Sequence, residues 1–304
     1  LRTAVVVIGH GTVDDLDDLP AFLGQIRRGH PPPLPLLREV RRRYEAIGGK
    51  SPLHAIGQEV AAKLEARIGL PVRLAMRLWK PYPKEVLAGL LDEGVDRVVV
   101  VPLAQHSAHV YGEAVESAAG ELAGEGRKSL RLLRASNWGR EPSLTRAYAD
   151  AIALGLRQTP DVARGRVRVL MTAHSLPLAV VRSGDPYESE VRASAAAIAE
   201  ALGPDGPGAE VVFQSQGMGG GDWLGPSLVE GLDAARDAGI RHVLVAPIGF
   251  LADHVEILYD IDVEARALAA DRGMSLTRTR SLNASDALID ALESVVRALL
   301  AAAG

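Results

Sequence analysis

The chain contains no cysteine. That excludes disulfides, cysteine-ligated zinc and an iron–sulfur cluster, and it leaves His, Asp and Glu as metal ligands. No apolar run reaches the roughly 20 residues that span a bilayer. The amino terminus runs directly into a β-rich stretch and lacks the basic-then-apolar layout of a signal peptide, so the expected location is the cytoplasm. Basic residues are not in excess. The formal net charge of −4 argues against nucleic acid as a partner. No Walker motif is present, which argues against ATP-driven chemistry, and Gly219-Gly-Gly221 lacks the spacing of a dinucleotide fingerprint. What is present is an ordinary globular composition: 304 residues, 47 % hydrophobic and 24 % charged. That suffices for one large or two medium α/β domains with a sizeable core.

Short β-rich apolar runs alternate with longer amphipathic stretches. The runs at 3–8, 72–76, 97–101, 129–133, 166–170, 210–213 and 242–246 predict strands. Helical patterns lie between them, at 53–68, 83–93, 143–156, 187–202 and 226–237. The βαβα rhythm predicts an α/β protein with two similar Rossmann-like, doubly wound domains, each a four-stranded parallel sheet flanked by helices. The polar, Pro- and Gly-bearing stretch 158–165 falls near the midpoint, which predicts domains at 1–157 and 158–304. No strand follows the last helical pattern, 286–303, and such a helix is expected to pack back on the first half.

Two strand ends carry the candidate chemistry. Met171-Thr-Ala-His-Ser-Leu-Pro-Leu178 delivers His174 at the carboxyl end of one strand. Pro247-Ile-Gly-Phe-Leu-Ala-Asp-His-Val-Glu256 follows another, turning at Pro247 and Gly249 before a helix near Asp253. Open α/β sheets bind ligands at those ends, so His174 and Glu256 are predicted to face a common cleft from adjacent strands. Thr172-Ala-His-Ser-Leu-Pro177 with Gly184-Asp-Pro-Tyr187, and Pro247-Ile-Gly-Phe with Asp253-His-Val-Glu-Ile-Leu-Tyr-Asp260, resemble the histidine and glutamate motifs of the ferrochelatases. Those enzymes insert ferrous iron into a porphyrin at the end of haem synthesis. Phe213-Gln-Ser215, which Asp222-Trp-Leu-Gly-Pro226 follows, resembles a further family motif, and Asp185 is expected to cap the helix after it.

In the first half, Ile26-Arg-Arg-Gly29, Tyr44-Glu-Ala-Ile-Gly-Gly49 and Ser51-Pro-Leu53 look like the bacterial ferrochelatases that act on coproporphyrin. Porphyrin propionates call for guanidinium groups. Arg27, Arg28 and Lys50 are the candidates, with Ser51 as a neutral donor, although a basic run at a helix end is also an ordinary solvated face. Ile8-Gly-His-Gly-Thr12 departs from the family and is similar instead to the small cobalt and sirohydrochlorin chelatases. That resemblance implies His10 as a metal ligand, approaching from the face opposite His174; the plainer reading is a histidine in a turn. After the third strand, His106 takes a cleft position when aligned on the ferrochelatases and His109 when aligned on the small chelatases. Trp79 suits the macrocycle or the core, and His54 and His242 lack a motif and are read as structural.

Neutral imidazole suits Fe²⁺ and carboxylate neutralises it. A group that takes pyrrole protons needs a pKa near the working pH. His174 and Glu256 fill both needs, and the sequence leaves open which binds metal and which accepts protons. Glu256, Asp260 and Glu264 stand at i, i+4 and i+8, which on an α-helix makes a carboxylate ladder of about 6 Å per step. The resemblance implies that this line leads to a peripheral divalent-ion site, with Mg²⁺ as a candidate; the alternative is a solvated acidic face. The expected protein is a monomeric ferrochelatase with Fe²⁺ and porphyrin as substrates, coproporphyrin III favoured over protoporphyrin IX. The alternatives are a cobalt or sirohydrochlorin chelatase, and a haem-binding carrier that kept the fold without turnover.

Overall fold

A computed structural model describes residues 1–159, 165–203, 208–217 and 221–304. The chain divides into two units, Leu1–Trp138 with Asn283–Gly304, and Gly139–Leu282. In the first, β1 (Thr3–Gly9), α1 (Leu19–Ile26), α2 (Leu34–Ala46), α3 (Leu53–Ile68), β2 (Val72–Met76), α4 (Pro83–Asp92), β3 (Arg97–Pro102), α5 (Ala108–Gly124) and β4 (Arg131–Arg134) follow in order. Its four strands are parallel in the order β2-β1-β3-β4. All seven residues of β1, Thr-Ala-Val-Val-Val-Ile-Gly, are buried. A central parallel strand is covered on both faces, and only a continuous apolar run satisfies that.

The second unit repeats the plan. It holds α6 (Pro142–Gln158), β5 (Val167–His174), α7 (Leu178–Arg182), α8 (Tyr187–Leu202), β6 (Ala209–Gln214), α9 (Leu228–Asp237), β7 (His242–Ala246), α10 (Val255–Leu258), a π-helical turn (Asp260–Ala265), α11 (Arg266–Asp271) and β8 (Ser275–Arg278). The parallel order is β6-β5-β7-β8. β8 was not among the strands expected from hydropathy. Its four residues, Ser-Leu-Thr-Arg, bury Leu276 alone, so an edge strand of this length leaves almost no apolar signal.

The unit boundary corrects the expected division at 157/158. α6 belongs to the second unit: Tyr148 Oη donates to Phe250 O at 3.0 Å, and Gly155 lies so close to Leu244 that a Cβ would sit 3.0 Å from its methyls. Helical periodicity shows that α6 has an apolar face, not which sheet that face covers. The Pro- and Gly-bearing stretch read as a linker is instead the α6–β5 connection, and its residues 160–164 lie outside the described residues.

The carboxy-terminal helix Asp286–Ala302 is part of the first unit and lies against α3. It buries Leu288, Ile289, Leu292 and Val296 to 1 % exposure or less. Each such burial contributes about 1.5–3 kcal/mol. Lys63 Nζ donates to Ala284 O at 2.7 Å, and Arg67 pairs with Glu293 at 3.3 Å, which sets the helix's register on α3. Among the described residues no helix is long and apolar enough to cross a membrane.

Candidate active site

In the second unit β5 and β7 are hydrogen-bonded neighbours, and the connections leave them toward opposite edges. The crevice beyond their carboxyl ends is where such a sheet receives a ligand. β5 ends at His174. The chain leaving β7 folds back on it through Gly249, whose N–H donates to Thr172 O at 2.9 Å. A Cβ on Gly249 would lie 2.6 Å from that of Ala173, so only glycine permits this approach. The turn brings Glu256 to His174, with Nδ1 and Oε2 2.8 Å apart. Their side chains keep 37 % and 30 % exposure, enough to meet a substrate.

A carboxylate only accepts, so His174 Nδ1 carries the proton in this bond and a neutral ring has its lone pair on Nε2. Burial by itself lowers the imidazole's pKa. The charge of Glu256, the hydrogen bond to it and the charge of Asp260 outweigh that and hold it above the usual 6.5. Tyr187 Oη donates to His174 O at 2.8 Å and fixes the strand end from α8. The helix begins at Tyr187 with Pro186 as its N-cap, one residue later than expected, and Asp185 Oδ1 accepts from Tyr187 N at 2.9 Å just ahead of it.

The role of Phe213-Gln-Ser215 becomes visible here. Gln214 Nε2 donates to Glu256 O at 2.9 Å, and Ser215 Oγ donates to Asp260 Oδ2 at 2.5 Å. The motif therefore holds the glutamate segment from β6. That function has no signature in composition or spacing, since it depends on β6 lying beside β5. Thr172 Oγ1 and Gln214 Oε1 are buried with no hydrogen-bond partner among the described residues.

The segment expected to carry a carboxylate ladder changes helix type along its length. The helix at Glu256 is α-helical only over Val255–Leu258, and Asp260–Ala265 is a π turn in which Glu264 N bonds to Tyr259 O at 3.0 Å. Glu256 faces His174, Asp260 is 6 % exposed on Ser215, and Glu264 points to solvent. Among the described residues no three His, Cys, Asp or Glu side chains converge to hold a metal ion.

In the first unit β1 exits through His10. Gly11 has φ +116°, and a Cβ there would sit 2.8 Å from Trp79 N, so glycine lets the exit pack on the segment after β2. Arg77 N and Leu78 N donate to Gly9 O and His10 O at 2.8 and 2.9 Å. The exposed His10 ring meets Tyr111 Oη through Nδ1 at 3.2 Å, and the Tyr111 ring lies 5.8 Å from the Arg77 guanidinium. Tyr111 was not anticipated, because its contact joins α5 to a loop 101 residues away. Trp79 is half-buried, edge-on to Phe22 at 5.8 Å between centroids.

His106 is 3 % exposed, and burial lowers its pKa to about 4. So little surface counts against the porphyrin contact expected of it, while His109 is exposed on α5. Ser51 is 1 % exposed, and its Oγ accepts from Leu53 N at 3.4 Å; its visible role is at the start of α3. Lys50 pairs with Asp14 at 3.2 Å. Arg27 and Arg28 are exposed just after α1, and neither side chain makes an ion pair among the described residues. Arg28 takes φ +55°, a left-handed position that usually goes to glycine at a helix end. His54 bonds Asp14 at 2.7 Å, and His242 bonds Ser275 and Thr277 across β7 and β8 at 2.7 and 2.8 Å.

Comparison with known proteins gives a consistent result. The sequence model of the Ferrochelatase family matches residues 2–300. A ferrochelatase of Acidobacterium capsulatum is 36 % identical over 310 residues, covering 96 % of this chain and 92 % of that protein. A coproporphyrin III ferrochelatase of Geobacillus kaustophilus is 30 % identical, covering 96 % of this chain and 94 % of that protein. Among solved structures, SirB from Bacillus subtilis with Fe³⁺ superposes with a TM-score of 0.59 at 17 % identity, covering 98 % and 96 % of the two chains. That likeness is one of fold.

Proposed function

The chain belongs to the ferrochelatase family, and from that premise we propose that it inserts Fe²⁺ into a porphyrin in haem synthesis, with coproporphyrin III preferred. The observation that carries the reading is the His174–Glu256 pair, 2.8 Å apart beyond two adjacent strand ends. Insertion breaks two pyrrolic N–H bonds, releases two protons and forms four Fe–N bonds. It therefore needs a base at the ring and a charge that tolerates a dication. His174 is the proton acceptor: Glu256 holds Nδ1–H, so Nε2 offers the lone pair. The imidazolium formed stays beside two carboxylates, Glu256 and Asp260, that stabilise it. Glu256 also supplies the charge that draws Fe²⁺ out of water.

Arg27 and Arg28 are exposed and make no ion pair among the described residues, and a planar guanidinium fork is the group that recognises a propionate carboxylate bidentately. Coproporphyrin offers four carboxylates where protoporphyrin offers two, which favours the more acidic macrocycle. The second reading, a cobalt or sirohydrochlorin chelatase, is supported by Gly9-His-Gly-Thr12 alone. Anaerobic metal insertion compared across coproporphyrin III, protoporphyrin IX and sirohydrochlorin separates them. Highest kcat/KM with Fe²⁺ and coproporphyrin is expected. Preference for sirohydrochlorin with Co²⁺ would replace this reading with the second, and tight haem binding without insertion would make the protein a carrier.

A further inference from the structure

Glu256 sits on a segment with little internal support. Its α-helix has four residues, no side chain caps it at His254, and a π turn follows directly. Both flanks of this segment carry an aspartate that meets one guanidinium. Arg278 ends β8, opposite Val245 of β7. Its Nε and Nη2 donate to the two oxygens of Asp262 at 2.9 and 2.8 Å, inside the π turn. Its Nη1 lies 3.2 Å from Asp253 Oδ1, before the helix begins. Thr279 O and Ser281 Oγ take further bonds from Nη1 at 3.1 and 3.3 Å, and Ser281 Oγ in turn donates to Asp253 at 2.7 Å.

The three charged side chains are 12 %, 21 % and 24 % exposed, so this cluster is largely shielded from water. Surface ion pairs contribute little, but a shielded bidentate pair fixes geometry because a planar fork fits a carboxylate in one orientation. Lysine would keep the charge and lose the fork. Arg278 thus ties both flanks of the Glu256 segment to the sheet edge, while Gln214 holds its middle.

We propose that Arg278 is a positioning residue for the reaction: through Asp253 and Asp262 it sets where Glu256 meets His174. This rests on the reading of His174 and Glu256 as the reacting pair. A matched control lies in the same unit. Arg272 forms its own two-pronged bond to Asp233 at 2.9 and 3.4 Å, is 17 % exposed, and sends its Nη1 to Leu268 O at 2.9 Å, beyond the π turn.

The test compares Arg278→Lys with Arg272→Lys in the full chain, measuring Tm, coproporphyrin affinity by fluorescence quenching, and kcat and KM for Fe²⁺ insertion. Both variants are expected to lose similar thermal stability. Arg278→Lys should lower kcat about tenfold to a hundredfold, the scale of a misplaced reacting group, while KM for coproporphyrin stays within about twofold. Arg272→Lys should leave kcat unchanged. Asp262→Asn removes one arm of the clamp, should lower kcat in the same direction by less, and carries the test where Arg278→Lys does not fold. If Glu256→Gln is inactive but both clamp variants behave like Arg272→Lys, the positioning role is overturned and the function stands. Near-normal insertion by Glu256→Gln would instead remove the reacting pair, and this inference with it.

Discussion

The two sheets share strand order and connection, yet their equivalent crevices hold opposite chemistry. Beyond β5 and β7, an imidazole meets a carboxylate with a second carboxylate nearby, and its pKa rises. Beyond β1 and β3, one imidazole meets a phenol at His10–Tyr111, and another, His106, is buried with its pKa lowered to about 4. Topology decides where each crevice lies, and the residues after each strand decide what it does. Burial opposes the imidazolium at both His174 and His106; only His174 has anionic neighbours strong enough to reverse the sign. On the proposed reading the second unit is the one that takes a proton, and each half of the comparison can be broken by substitution.

His174→Ala should produce the largest effect, a loss of insertion of about a hundredfold or more, the scale of a positioned acid–base group. Porphyrin binding should persist, because apolar contact and propionate bonds hold the ring. Turnover near that of the unaltered protein would show that the acid–base work lies elsewhere. Glu256→Gln sharpens the same point without deleting the ring. With its main counter-charge gone, His174 should titrate at lower pH in an NMR experiment on the metal-free protein, and an unmoved titration would mean that Glu256 does not set its basicity.

His106 gives the matching test in the first unit, through stability. Its folded pKa of about 4 lies below the ordinary 6.5. Below pH 6.5 the unfolded chain therefore binds a proton that the folded one refuses. The stability this group contributes is whole above pH 6.5 and falls by about 3 kcal/mol as pH drops toward 4. His174 has the opposite sign: its raised pKa favours the folded state below pH 6.5, and that contribution fades as pH rises through the folded value. Urea unfolding at pH 7 and pH 5 should show a steeper loss for the unaltered protein than for His106→Gln. Parallel losses would mean that His106 is charged or solvated in the native state.

Arg27→Ala with Arg28→Ala should weaken coproporphyrin more than protoporphyrin, with about 1.5–3 kcal/mol for each charge-assisted bond lost. An equal change in KM for both would show that these arginines do not read the extra carboxylates. The smallest effect on turnover is expected from His10→Ala. If its imidazole ligates product iron, the Soret band of the haem-bound protein should shift and haem should bind more weakly, with insertion reduced less than in His174→Ala. An unchanged spectrum would leave His10 as the turn residue that Gly11 and Trp79 hold in place.

Much of this protein follows from its sequence alone. Continuous apolar runs such as Thr3–Gly9 are stable only as doubly covered parallel strands, so they determine the α/β class and place His10, His174 and Glu256 beyond strand ends. The paired motifs determine the family. Other features were decided only by tertiary contacts. The sheet that α6 covers depends on which neighbour complements its apolar face, here Leu244 beneath Gly155. The phase of Glu256, Asp260 and Glu264 depends on a π turn, and a pattern of carboxylates every four residues is blind to one extra residue in a turn. The sign of each histidine's pKa shift depends on charges from distant segments. Asp260 and Glu256 reach His174 across more than 80 residues of chain, and Arg278 pairs with Asp253 and Asp262 on either side of them from an edge strand too short to announce itself.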